Sequence, residues 1–220
     1  MNKDVLLDKE RPLSLTETVT NELRNSIMNG DLKLGQSVSE TMLSNRYKVG
    51  KTPVRESLFR LKQEGVVNII PQKGSFIYNP TPQDVNDLCD YRTYIEPLAI
   101  KEAISAQKED FLDDLEILVT KMNRALKREN IRTYLQLDSE YHMAFFNHCK
   151  NPHLKETYRL VAIKASAIRS NITSNLTIEM AQYTNGHHNQ IFNLLSATEV
   201  DAAISVLITH IQGTKSEFIK

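Results

Sequence analysis

The sequence predicts a mainly α-helical protein in two parts, a short N-terminal unit of three helices closed by a β-hairpin and then an antiparallel all-helical bundle. Three observations carry this. Apolar residues recur at helical spacing through most of the chain. The period changes only at Val66–Ile70 and Ser75–Tyr78, two runs rich in β-branched and aromatic residues. Of the seven glycines, only Gly186 and Gly213 follow Gly74, so the last two thirds contain few breakers.

The elements follow in order. After an N-terminal arm (1–13), Ser14-Leu15-Thr16-Glu17 has capping-box spacing. Leu15, Val19, Leu23 and Ile27 then form one apolar stripe, and Gly30 supplies the stop. Ser39 can cap a second helix of about eight residues that carries Met42 and Leu43 inward. Thr52 and Pro53 open a third, with Val54, Leu58 and Leu61 buried and Gly65 at its end. Pro71–Gly74 reads as a four-residue hairpin loop. Three helices and a hairpin over 14–79 are the layout of a winged helix-turn-helix. From 80 to 220 the periodicity predicts helices at 82–106, 110–129, 131–149, 151–174, 176–196 and 199–219. Thr81 caps and Pro82 starts the first of them, and short connections between long helices imply antiparallel packing.

Composition is that of a soluble globular protein, 40% apolar and 25% charged. No stretch approaches the roughly 18 apolar residues of a membrane span, and MNKDVLLDKERP lacks a secretory core. Both favour a cytoplasmic protein with no membrane partner. Cys89 and Cys149 have no metal-ligand spacing and read as reduced thiols. The net charge is zero, yet residues 1–79 carry 12 Lys and Arg against 9 Asp and Glu. Arg46, Lys48, Lys51, Arg55, Arg60 and Lys62 are opposed only by Glu56 within 46–62, a basic cluster of the kind that contacts DNA phosphates. In a winged helix the third helix enters the major groove, which places Lys51, Thr52 and Arg55 at phosphates and base edges. Arg46 joins them from the second helix, and Lys73 and Gly74 form a wing tip that can approach the backbone. Operator DNA with two-fold symmetry requires paired reading heads, hence a homodimer.

In the helical part, Asp138 and His142 share a helix face at i, i+4. His188 and His210 lie on two later helices, and bundles build metal sites from such facing side chains. Three imidazoles and one carboxylate suit zinc foremost, with nickel, manganese or iron(II) as alternatives that coordination geometry would separate.

The run Val49-Gly50-Lys51-Thr52-Pro53-Val54-Arg55-Glu56-Ser57-Leu58-Phe59-Arg60-Leu61, followed by Glu64-Gly65 and Lys73-Gly74, resembles the recognition-helix signature of the GntR regulators. Gly50 and Lys51 stand where that pattern has serine and arginine, and Thr41 where members often carry arginine. Lysine keeps the charge but loses the bidentate fork. Residues 84–212 resemble the FadR-type (FCD) C-terminal domain of one branch, through Tyr91–Glu96, Asp138–His142, His188–Ile191 and Thr209–Ile211. The resemblance implies a transcriptional regulator, repressor or activator, with a divalent metal held by Asp138, His142, His188 and His210. It also implies a small carboxylate or hydroxy-acid effector at the open coordination positions. Arg92 matches an arginine facing that cavity, able to pair with a carboxylate, and Arg169 and Asn171 are further candidates for its wall. His187 replaces the acid that usually precedes the third ligand. A hydrolase-like metalloenzyme fused to a DNA-binding module is the competing reading. It lacks an HExxH motif and a placed general base. A regulator whose metal is only structural is a third.

Overall fold

The computed structural model describes residues 12–172 and 177–219. The N-terminal arm thus lies outside the described residues except for Pro12 and Leu13. Helix α1 (Leu15–Met28) starts at a complete capping box, Ser14 accepting from the Glu17 amide while the Glu17 carboxylate accepts from the Ser14 amide. It stops where Gly30 turns left-handed at φ +71°. Helix α2 (Glu40–Tyr47) is capped by Ser39 and closed by Lys48 in the left-handed region. Helix α3 (Lys51–Gln63) begins one residue before Thr52, with Gly50 as an N-cap that makes no side-chain bond. Pro53 therefore sits at the third helical position, still within the first turn, where its missing N–H costs no helix bond.

Three strands complete this unit. A β-hairpin joins β2 (Val67–Ile70) to β3 (Gly74–Ile77) in antiparallel register, with Ile70 opposite Gly74. Gly74 is thus part of the ladder, and the connection is the three residues Pro71–Lys73 rather than four. Strand β1 (Ser37–Val38), absent from the sequence reading, pairs with the other edge of β3 and gives the order β1-β3-β2. Two residues cannot display a period of two, so nothing in the sequence marked it. Val19, Leu23, Ile27, Leu43, Val54, Leu58, Leu61 and Val67 bury the space between helices and sheet.

The rest is helical. Thr81 and Asp84 form a second capping box at the start of α4 (Pro82–Lys127). Gln107 leaves helical geometry at φ −149°, ψ 52°, so α4 is two helices joined at a kink, one residue from the break expected at Lys108. Helices α5 (Ile131–Asn147), α6 (Pro152–Ile172), α7 (Ile178–Ser196) and α8 (Val200–Ile219) follow. Asn130 caps α5 and Thr177 caps α7 through their side chains. Phe111, Leu115, Met122, Tyr141, Phe145, Phe146, Ile191, Leu195 and Leu207 fill the bundle core. No helix among the described residues is long and apolar enough to cross a membrane.

Helix α6 belongs to both cores. Tyr158, Ala162 and Ile168 pack into the bundle, whereas Ile163 and Ala167 are buried with the apolar residues of the N-terminal unit. The turn after α1 meets α6 directly: a Cβ placed on Gly30 would lie 3.1 Å from Ser170 Cβ and 3.2 Å from the Ser170 carbonyl oxygen. Gly30→Ala adds a strained left-handed residue to that crowding. It should lower the unfolding free energy by about 1–3 kcal/mol in denaturant titration; an unchanged midpoint would contradict the tight joint.

A buried aspartate–histidine cluster and an exposed recognition helix

The helical bundle brings Asp138, His142, His188 and His210 together, all buried, with one ligand atom from each lying within 4.8 Å of the others. Asp138 and His142 are one turn apart on α5, His188 comes from α7 and His210 from α8. His142 Nε2 and His210 Nε2 are 3.1 Å apart, and His188 Nε2 lies 3.3 Å from Asp138 Oδ1. Bonds of about 2.1 Å to one cation place neighbouring ligand atoms about 3.0 to 3.4 Å apart, at octahedral to tetrahedral angles. Both ring nitrogens of His188 and Nδ1 of His210 make no hydrogen bond, and Asp138 Oδ2 faces the Arg169 guanidinium. Buried polar atoms without partners are costly. A shared cation would satisfy those that face it, so the donor set fits a divalent metal.

A second layer orients these groups. Glu96 Oε2 lies 2.8 Å from His142 Nδ1. With the carboxylate accepting from Nδ1–H, the Nε2 lone pair is left to face the cluster, the arrangement found behind metal-bound histidines. Arg92 Nε donates to Glu96 Oε1 at 2.5 Å, and Tyr158 Oη donates to the same oxygen at 3.0 Å. Arg92, expected to face an effector, thus stands beside His142 with its guanidinium committed to an internal carboxylate. Sequence reasoning passed over the role of Glu96, although its i, i+4 spacing from Arg92 was visible. Burial works against the Glu96 charge, but Arg92 and His142 outweigh it and hold the carboxyl down at about 2.

Arg169 lies at the cluster, its Nε 2.7 Å from Asp138 Oδ2 and its Nη2 donating to Ser139 Oγ at 3.0 Å. Burial raises the Asp138 carboxyl, yet Arg169 and the neighbouring histidines keep it well below the usual carboxylate range. Asn171, expected on the cavity wall, points elsewhere: its Oδ1 accepts from the Leu34 amide at 3.1 Å and its Nδ2 donates to the Ala167 carbonyl. Two positions along a helix turn the side chain by about 200°, which carries it to the opposite face. His187 is partly exposed beside Tyr183 and His210.

On the N-terminal unit, Arg46, Lys51, Thr52 and Arg55 are all exposed, as are Lys73 and Gly74 at the hairpin tip. Arg55 is held by Glu40 through two parallel bonds of 2.7 and 2.8 Å that tie α3 to α2. That pairing lowers the Glu40 carboxyl and raises the Arg55 guanidinium from their ordinary values.

The comparisons agree with this geometry. Residues 87–213 match the FCD domain, and residues 15–77 match the bacterial regulatory proteins of the gntR family. The chain belongs to the FCD branch of the GntR family of transcriptional regulators. It is 25% identical over 207 residues to the HTH-type transcriptional repressor RspR of Escherichia coli, covering 92% of this chain and 90% of RspR. It is 29% identical over 153 residues to the HTH-type transcriptional regulator YdhC of Bacillus subtilis, covering 69% and 67%. A Rhodococcus sp. RHA1 structure described as a GntR transcriptional regulator shares the fold, with TM-score 0.82, 19% identity, and coverage of 94% and 98%. The family and these relatives are transcriptional regulators, not enzymes.

The cluster makes metal-free protein acid-sensitive. Burial holds His142 down to about 4 from its ordinary 6.5, with Glu96 pulling the other way and Arg92 adding to the fall. Burial lowers His210 as well. The unfolded chain therefore takes up protons near 6.5 that the folded one refuses, and stability present above 6.5 is lost as pH falls toward 4. A melting temperature in chelator that stays flat from pH 7 to 5 would contradict this.

Proposed function

We propose that this chain is a metal-dependent sensor of small organic acids that binds operator DNA as a homodimer. In this reading residues 14–79 read DNA and residues 80–220 hold the metal and effector. The observation that carries it is the four-ligand group sealed inside the bundle, with Glu96 orienting His142 and partnerless lone pairs around the centre. Asp138, His142, His188 and His210 would hold the ion, zinc foremost. Where the ion is octahedral, four protein ligands leave two positions at which a carboxylate can bind. Arg169 beside Asp138 supplies positive charge next to that anion, while Arg92, 3.2 Å from His142 and paired with Glu96, stands behind the ligand. Effector binding alters operator affinity insofar as the effector prefers one of two conformations.

The basic face supports the DNA half of the reading. Lys51, Thr52 and Arg55 occupy the exposed start of α3, whose first-turn amides receive no bond from a Gly50 side chain. Phosphates are suited to such a helix start. Arg46 and the Lys73–Gly74 tip extend the contact to either side, and a two-fold operator engages two such heads.

Elemental analysis of purified protein, with thermal-shift screening against small organic acids, tests the sensor directly. About one divalent ion per chain and a stabilising acid are expected, since a ligand of the native state raises the melting temperature. His188→Ala should lose the ion and melt lower; full metal occupancy in that variant removes His188 from the site. Arg55→Ala should weaken operator binding about ten- to a hundredfold at fixed salt with metal content unchanged. Wild-type affinity there would sink the recognition-helix assignment.

A further inference from the structure

Three consecutive residues at the end of α6 touch three different things. Arg169 contacts the ligand Asp138 at 2.7 Å and its neighbour Ser139 at 3.0 Å. Ser170 Oγ donates to the Met28 carbonyl, and Asn171 Oδ1 accepts from the Leu34 amide at 3.1 Å. Met28 ends α1, and Leu34 lies in the turn leading to β1. The contact is not confined to this turn of helix. Ile163, Ala167, Ser170 and Asn171 are spaced i, i+4, i+7, i+8, one stripe of α6, and Ile163 and Ala167 are buried in the N-terminal core. On the bundle side, Ser166 Oγ is 2.6 Å from Ser139 Oγ, next to Asp138.

We propose that the C-terminal turn of α6 couples the metal centre to the DNA-reading unit, with Arg169 responding to the charge at Asp138 and Ser170 and Asn171 passing its position to the turn after α1. The proposal rests on the reading of Asp138 as a metal ligand. Its physics is competition for one carboxylate. Among the described residues Arg169 is the cation closest to Asp138 Oδ2. A divalent ion bonded to Asp138 takes over much of that negative charge and repels the guanidinium across a few ångströms of buried, weakly screened space. Arg169 is then held less tightly, and because an α-helix moves as a unit over one turn, Ser170 and Asn171 move with it. An anionic effector on the ion offsets the added charge and lets Arg169 return. The same turn thus distinguishes metal alone from metal with effector.

The Leu34 amide is a built-in reporter, because its hydrogen bond ends on Asn171. Zinc is titrated into the full chain by calorimetry, and residue-resolved hydrogen exchange is compared with and without saturating Zn2+. In wild type, Zn2+ should speed exchange at Leu34 by about fivefold or more, the lower edge of coupling between linked sites. Arg169→Gln should still bind Zn2+ but show no zinc-dependent change at Leu34, and Arg169→Lys, which keeps the charge, should restore part of it. Asn171→Ala, which touches no ligand, should bind Zn2+ like wild type while the zinc-dependent change across Met28–Gln36 disappears; this variant carries the test if Arg169→Gln does not fold. Zinc binding with an unmoved Leu34, or a full response in Arg169→Gln or Asn171→Ala, overturns the coupling and leaves the metal site standing. No zinc binding to wild type overturns both.

Discussion

Two carboxylates buried in an apolar bundle set the terms for everything around them. Glu96 and Asp138 are sealed from water, and a buried charge without compensation costs several kcal/mol. Each is answered by an arginine, Arg92 for Glu96 and Arg169 for Asp138, and each also faces a histidine. The pairs fix the order in which α4, α5, α6 and α7 pack, since a slip of one element would strand a charge. They leave both ring nitrogens of His188 and Nδ1 of His210 as the imidazole atoms of the cluster without a hydrogen bond.

Much of this was legible in the sequence, for reasons that differ by element. The helix starts at Leu15, Glu40 and Pro82 follow from side chains that bond their own first turn, a local effect written within four residues; the cap at Thr177, which starts α7 two residues after the expected 176, was passed over. The division of the bundle into helices followed from the scarcity of glycine and from the breaks at Asn130 and Pro152. Asp138 with His142 was visible as a one-turn pair. His188 and His210 were candidates only as histidines on later helices of a bundle, and the family resemblance singled them out, because separations of 46 and more residues carry no periodicity.

What stayed hidden was tertiary. Strand β1 is two residues long and exists because β3 offers a free edge. Arg92 looked available for a ligand because its partner, Glu96, was read as part of a motif and not as a counter-charge. Asn171 was a cavity-wall candidate; helical rotation turns it away from Arg169 to the joint with the N-terminal unit.

In the proposed reading, where Arg55 contacts DNA, the Arg55–Glu40 clamp bears on how the protein searches a genome. A guanidinium already engaged by a carboxylate is partly neutralised, so it adds little to the sequence-independent attraction that holds a regulator on arbitrary DNA. Only a base pair presenting two well-placed acceptors can compete with the two parallel bonds Glu40 provides. In that reading the acidic residue on α2 would act as a threshold, shortening residence on incorrect sites more than on correct ones and trading total grip for contrast between them.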